Sequence, residues 1–146
     1  MNKMALKIAQ DFIDMDPEML QKLLEGFIID TKDNWNYILP TDLYKLMKSD
    51  HDLFLLDLRK PEDFNKGHIK GATNIFWLDI MKNLKNLPTD KKIILICYVG
   101  HTASQVLVIL KLMGYDVIAL KFGMGISPSK GIPVAGWLNY KYEVEK

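Results

Sequence analysis

The residue in this chain best equipped for covalent chemistry is Cys97, the only cysteine. It closes the apolar run Ile93-Ile94-Leu95-Ile96, which reads as a short buried strand. A helix follows almost at once, because Ala103, Val106, Leu107, Leu110 and Met113 share one helical face and Gly114 stands just past them as a stop. Cys97 is therefore expected between the end of a strand and the start of a helix. The first turn of a helix has unpaired backbone N–H groups and a partial positive charge, so it favours an anion. A thiolate is such an anion, and cysteines in that position ionise more readily than free cysteine. The same N–H groups suit the oxygens of thiosulfate, sulfite, phosphate or arsenate. Gly100 allows the positive φ that an inward-facing nest of amides requires. The plainer alternative is that Cys97 is a small apolar residue filling a strand end.

Longer motifs bear on that choice. Cys97-Tyr98-Val99-Gly100-His101-Thr102-Ala103-Ser104 resembles the active-site loop of rhodanese-like sulfurtransferases. Upstream, Asp57-Leu58-Arg59-Lys60-Pro61-Glu62-Asp63-Phe64 and Gly67-His68-Ile69-Lys70-Gly71-Ala72-Thr73-Asn74-Ile75 resemble a second signature of that family, in the same order. The resemblance runs from about residue 37 to about residue 125. It implies an α/β fold with a central, mainly parallel five-stranded sheet flanked by helices. It also implies that Cys97 accepts a sulfane sulfur as a persulfide and passes it to a thiol or cyanide. Backbone N–H groups from Tyr98 through Thr102, with Val99, Gly100 and His101 between them, would hold the persulfide and the anionic donor. Ala103 would support the loop. Double displacement of this kind calls for no cofactor and no metal.

The remaining candidates each have two readings. His101 as imidazolium would attract an anionic donor; as a neutral ring it is a solvent-facing tip. Many related loops hold thiosulfate with a nearby arginine or lysine, and this loop has neither, which points toward a different donor. Asp57 and Arg59 could touch substrate, or pair and brace the loop, the second reading being the stronger. His68 reads as a structural histidine at a chain reversal. A zinc site built from Cys97, His101, His68 and His51 lacks the close ligand pairs that structural zinc uses. A phosphatase or arsenate reductase on the same fold is the less favoured rival, because a cysteine phosphatase needs an arginine six places after its nucleophile, where this chain has Ala103. The rival from another class is a sulfur-carrier or regulatory module that serves one partner, such as a protein acceptor, without free turnover.

These residues must be positioned by elements that the sequence also outlines. Leu53-Phe54-Leu55-Leu56-Asp57 reads as a buried parallel strand delivering an acid at its carboxyl end. Thr73–Phe76 and Val117–Leu120 read as further strands, with a helix around Ile80, Met81 and Leu84. In such sheets ligands bind beyond the carboxyl ends of strands, which puts Asp57 and Cys97 at one rim. Thr41 is expected to cap a helix that turns Leu43, Leu46 and Met47 inward. Residues 1–34 form an N-terminal helical extension and 35–146 the rhodanese-like domain. Within the extension, Phe12, Ile13 and Met15 anchor a first helix. Asp16-Pro17-Glu18 starts a second, whose Leu20, Leu23, Leu24, Phe27 and Ile28 form an apolar face directed at the domain or, less favoured, at a dimer partner. Thr31–Asn34 is a linker. Trp35, Trp77 and Trp137 are assigned to core or cleft walls. After Gly123 the chain departs from the family pattern, since Ser127–Gly131 intervenes before Trp137.

Composition narrows the partners. With 146 residues the chain suits one domain, and a net charge of +1 gives no reason to expect nucleic acid. A single cysteine excludes an internal disulfide. Charge or glycine interrupts every apolar run before about 20 residues, so no membrane span is expected. Lys7 and Asp11 break any signal-peptide core, which points to a cytoplasmic protein, monomeric or homodimeric.

Overall fold

The computed structural model describes residues 16–30, 35–49, 52–126 and 135–146, and these fall into two compact units divided between Trp35 and Asn36. In the first unit, helix α1 (Pro17–Asp30) begins as its sequence dictates. The Asp16 carboxylate accepts the Glu18 N–H at 3.1 Å, and Pro17 occupies the first helical position, where no N–H is needed. Leu23, Leu24 and Ile28 on its apolar face are exposed. Phe12, Ile13, Met15 and the Thr31–Asn34 segment lie outside the described residues.

The second unit is a parallel α/β sheet in the order β1-β5-β4-β2-β3. Its strands are β1 (Tyr37–Ile38), β2 (Leu53–Asp57), β3 (Thr73–Asn74), β4 (Lys92–Ile96) and β5 (Val117–Leu120). Helix α2 (Pro40–Lys48) follows β1, α3 (Pro61–Phe64) follows β2 and α4 (His101–Leu112) follows β4, with 3-10 helices at Trp77–Asn86 and Trp137–Tyr140. Central β4 pairs Leu95 with Leu56 of β2 and with Ala119 of β5, so all three strands end at one rim. A strand covered on both faces is apolar at successive positions, which is why Ile93 to Ile96 show no alternation. Ile94 and Ile96 join Leu43, Leu55, Leu120, Met124 and Trp137 in a core on one face. Ile93 and Leu95 alternate to the other, where α4 contributes Ala103, Val106, Leu107 and Leu110. Each aliphatic side chain fully buried this way contributes roughly 1.5–3 kcal/mol.

Several expectations are corrected. The first strand, β1, was not marked by any apolar pattern, because two residues are too few to show one. Helix α2 starts at Pro40 with Leu39 as its N-cap and no side-chain cap, so Thr41 lies inside the first turn. Proline's fixed φ starts the helix where a threonine cap was expected. The helix expected around Ile80 is present, in 3-10 form. Trp35 is 78% exposed, thrown outward by a turn in which it and Asn36 both have positive φ. Trp137, by contrast, is buried against the ring of Tyr142, with ring centroids 4.8 Å apart. The tail is placed by backbone bonds: Trp137 N–H donates to the Gly123 carbonyl and Leu138 N–H to Met124.

Candidate active site

Cys97 follows β4 directly and precedes α4 by three residues, so its side chain lies where the helix presents free amides. Gly100 N–H donates to Cys97 Sγ at 3.1 Å and Ala103 N–H at 3.4 Å. Gly100 adopts φ 99°, a conformation that glycine takes without strain and that aims its amide back at the sulfur. The amides that reach the thiol thus come from one expected residue, Gly100, and from Ala103, assigned only a supporting place. Cys97 is 1% exposed, its sulfur enclosed by the loop. His101 opens the helix and is exposed, while Val99 and Thr102 are half-buried.

Hydroxyls fix the loop from behind. Ser104 Oγ donates to the Gly100 carbonyl at 2.8 Å, its single proton being used there. The 2.8 Å contact between Tyr37 and Ser104 is therefore donated by the tyrosine, which ties edge strand β1 to the glycine that holds the sulfur. On the other side Tyr98 turns away from Cys97 and donates to Asp63 Oδ2 at 2.6 Å. Bonds from Lys66 and then from Tyr98 hold the Asp63 carboxyl below its ordinary range. Burial, followed by the bond to Asp63, pushes the Tyr98 phenol up.

A third support is the turn after β5. Met124 N–H donates to the Cys97 carbonyl at 2.8 Å and Gly125 N–H to the Tyr98 carbonyl at 3.0 Å. Gly123 is required by this approach: a Cβ there would collide with the Cys97 carbonyl oxygen.

Asp57 and Arg59 form the neighbouring loop and are both buried. Arg59 Nη2 donates to Asp57 Oδ2 at 2.8 Å and to the Gly67 carbonyl at 2.9 Å, while Arg59 Nε reaches Asp57 Oδ1 at 3.0 Å. Asn74 donates to the carbonyls of Asp57 and Arg59, both at 2.9 Å. The Nε and Nη2 donors of the guanidinium are spent inside the protein, as a bracing pair requires, and Arg59 also lines the cavity beside the loop. His68 is buried, stacks on Phe64 at 3.6 Å between ring centroids and exchanges backbone bonds with Glu145. That arrangement suits a structural residue at a chain reversal.

Beside the loop lies a cavity of about 280 Å³, whose lining includes the polar groups of Asp63, Lys66 and Tyr98 and the apolar Ile126, Leu138 and Val144. Among the described residues no group of three or more His, Cys, Asp or Glu is placed to hold a metal, and no helix is long and apolar enough to cross a membrane. His51 lies outside the described residues. Sequence reasoning did not find Tyr37, Asp63 or the 123–126 turn. Tyr98 and Asp63 are 35 positions apart, and only the sheet brings them together.

Comparison with known proteins gives concordant results. Residues 39–125 match the family model described as Rhodanese-like domain. The "Putative sulfurtransferase YtwF" of Bacillus subtilis (strain 168) is 29% identical over 82 residues, covering 56% of this chain and 80% of that protein. A rhodanese-related protein of Thermoplasma volcanium superposes with a TM-score of 0.62 at 25% identity, over 75% of this chain and 96% of the other. A thiosulfate sulfurtransferase of Pseudomonas aeruginosa shares the fold at TM-score 0.59 and 22% identity, over 75% of this chain and 19% of that one.

Proposed function

The chain belongs to the rhodanese-like domain family, and from that premise we propose that it is a sulfurtransferase whose Cys97 carries the transferred sulfur. The observation that carries this reading is the sulfur of Cys97 facing the amides of Gly100 and Ala103 at the start of α4. Amide hydrogens and the helix terminus stabilise a thiolate, and then the terminal sulfur of a persulfide. In the first step the Cys97 thiolate attacks the outer sulfur of an anionic donor such as thiosulfate. The new S–S bond forms as the donor's own S–S bond breaks, and sulfite leaves with the electron pair. In the second step a thiol or cyanide attacks the terminal sulfur, and the electron pair of the cleaved bond returns to Cys97 as thiolate. Electrons balance between donor and acceptor without a third reagent.

Incubation with thiosulfate followed by intact mass measurement tests the first step. A gain of one sulfur atom is expected in the native chain and none in Cys97→Ala, whose thiosulfate-to-cyanide turnover should be abolished while its circular dichroism is unchanged. Turnover that survives Cys97→Ala would overturn the reading. Retention of the sulfur against small thiols and cyanide would identify a carrier for a dedicated protein acceptor instead.

A further inference from the structure

The loop around Cys97 supplies amides and His101 but no lysine or arginine, so a permanent charge that draws an anion toward it comes from outside the loop. The register of the sheet identifies a source. Strands β4 and β5 run parallel with Leu95 opposite Ala119, so Cys97 and Lys121, each one residue past its strand, emerge at the same rim. Lys121 N–H donates to the Ile38 carbonyl at 2.9 Å, so β1 still holds the chain one residue past β5. Side chains two apart on a strand share a face, so Lys121 follows Ala119. That face is the one bearing α4: Tyr37, the partner of Ala119, reaches Ser104 on the helix. Lys121 is exposed and its ammonium lies 5.5 Å from the centre of the Phe122 ring, while among the described residues it pairs with no carboxylate.

Phe122 links this lysine to the sulfur. It holds a positive φ of 62°, uncommon for a bulky residue. Its backbone N lies 3.5 Å from where a Cβ on Gly100 would sit, and Gly100 is the residue whose amide binds Cys97 Sγ. The turn that carries Lys121 is therefore packed against the cradle itself.

We propose that Lys121 is the cation that draws anionic reagents, the sulfur donor among them, to Cys97. The donor half of this statement rests on the sulfurtransferase reading; the electrostatic half does not. Alkylation of Cys97 by iodoacetate and by iodoacetamide separates them, since the two reagents differ mainly in charge. In Lys121→Gln the ratio of the iodoacetate rate to the iodoacetamide rate should fall about threefold, the effect of one charge several ångströms away in a solvated cleft. Lys121→Arg should restore the ratio. Lys92→Gln, which removes the same charge at the opposite end of the sheet, should leave it unchanged. With thiosulfate as substrate, Lys121→Gln should raise KM about threefold at constant kcat. An unchanged ratio in Lys121→Gln, an equal fall in Lys92→Gln, or a thiol that reacts with neither reagent would each overturn the assignment. A ratio that falls as expected in a protein inert toward thiosulfate would uphold Lys121 and remove the sulfur-transfer reading instead.

Discussion

Two loops meet at the same rim of the sheet and are built on opposite plans. The loop after β2 is held by side chains: Asp57 and Arg59 are buried against each other, and Asn74 ties down the carbonyls around them. The loop after β4 is held by backbone, with Gly100 and Ala103 amides on the sulfur and the Met124 and Gly125 amides on the carbonyls behind it. The Nε and Nη2 donors of that buried ion pair are spent on Asp57 and the Gly67 carbonyl. A nest of amides around one sulfur leaves its side chains free to face solvent, as exposed His101 does. The first loop provides rigidity and the second holds the sulfur that we propose as the reacting atom.

Removing half of the buried pair is the most severe way to strain this contrast. Arg59→Ala would leave Asp57 as an uncompensated buried charge, so a loss of about 3–5 kcal/mol is expected in urea unfolding. A loss below about 1 kcal/mol would show that the pair is not what holds the β2 loop. Gly100→Ala comes next. A Cβ there meets only an ordinary contact with the Phe122 backbone at 3.5 Å, so the cost is that of a left-handed alanine, about 1–2 kcal/mol. The same variant should slow alkylation of Cys97 by neutral iodoacetamide, because the amide bound to the sulfur shifts. Stability lost without any change in that rate would make Gly100 a purely structural residue.

Asp63→Asn is the smallest change, at about 1 kcal/mol near neutral pH, since the carboxylate is partly solvated. Lys66 and then Tyr98 depress the folded-state value of Asp63, so its contribution is complete above the ordinary carboxylate range. It is lost as pH falls through the lowered value. Urea midpoints of native and variant chains should therefore differ at neutral pH and converge in acid. A constant gap would show that the charge of Asp63 is not what anchors Tyr98.

Much of this was legible before any coordinates because it is local. The strand that ends at Cys97, the helix that follows, and an Asp57–Arg59 pair bracing its own loop all depend on residues within a few positions of one another. What escaped is non-local or too short to show a period. Strand β1 has two residues, and Tyr37 acquires a role only when parallel pairing sets it beside Ala119 and across from Ser104. The 3-10 helix at Trp77–Asn86 differs from an α-helix by a tighter turn, which apolar spacing over so short a run does not distinguish. Trp137 meets the Gly123 turn from across an insertion, so no fixed spacing could announce the contact.

The tail that follows this insertion works as a strap. One end is sewn to the turn behind Cys97 through Trp137 and Leu138, and the other to His68 through Glu145, next to the glycine that receives the Arg59 guanidinium. A disturbance that lifts the strap therefore loosens both plans of construction together, the ion-paired and the amide-lined, and gives two loops far apart in the chain a common threshold for opening.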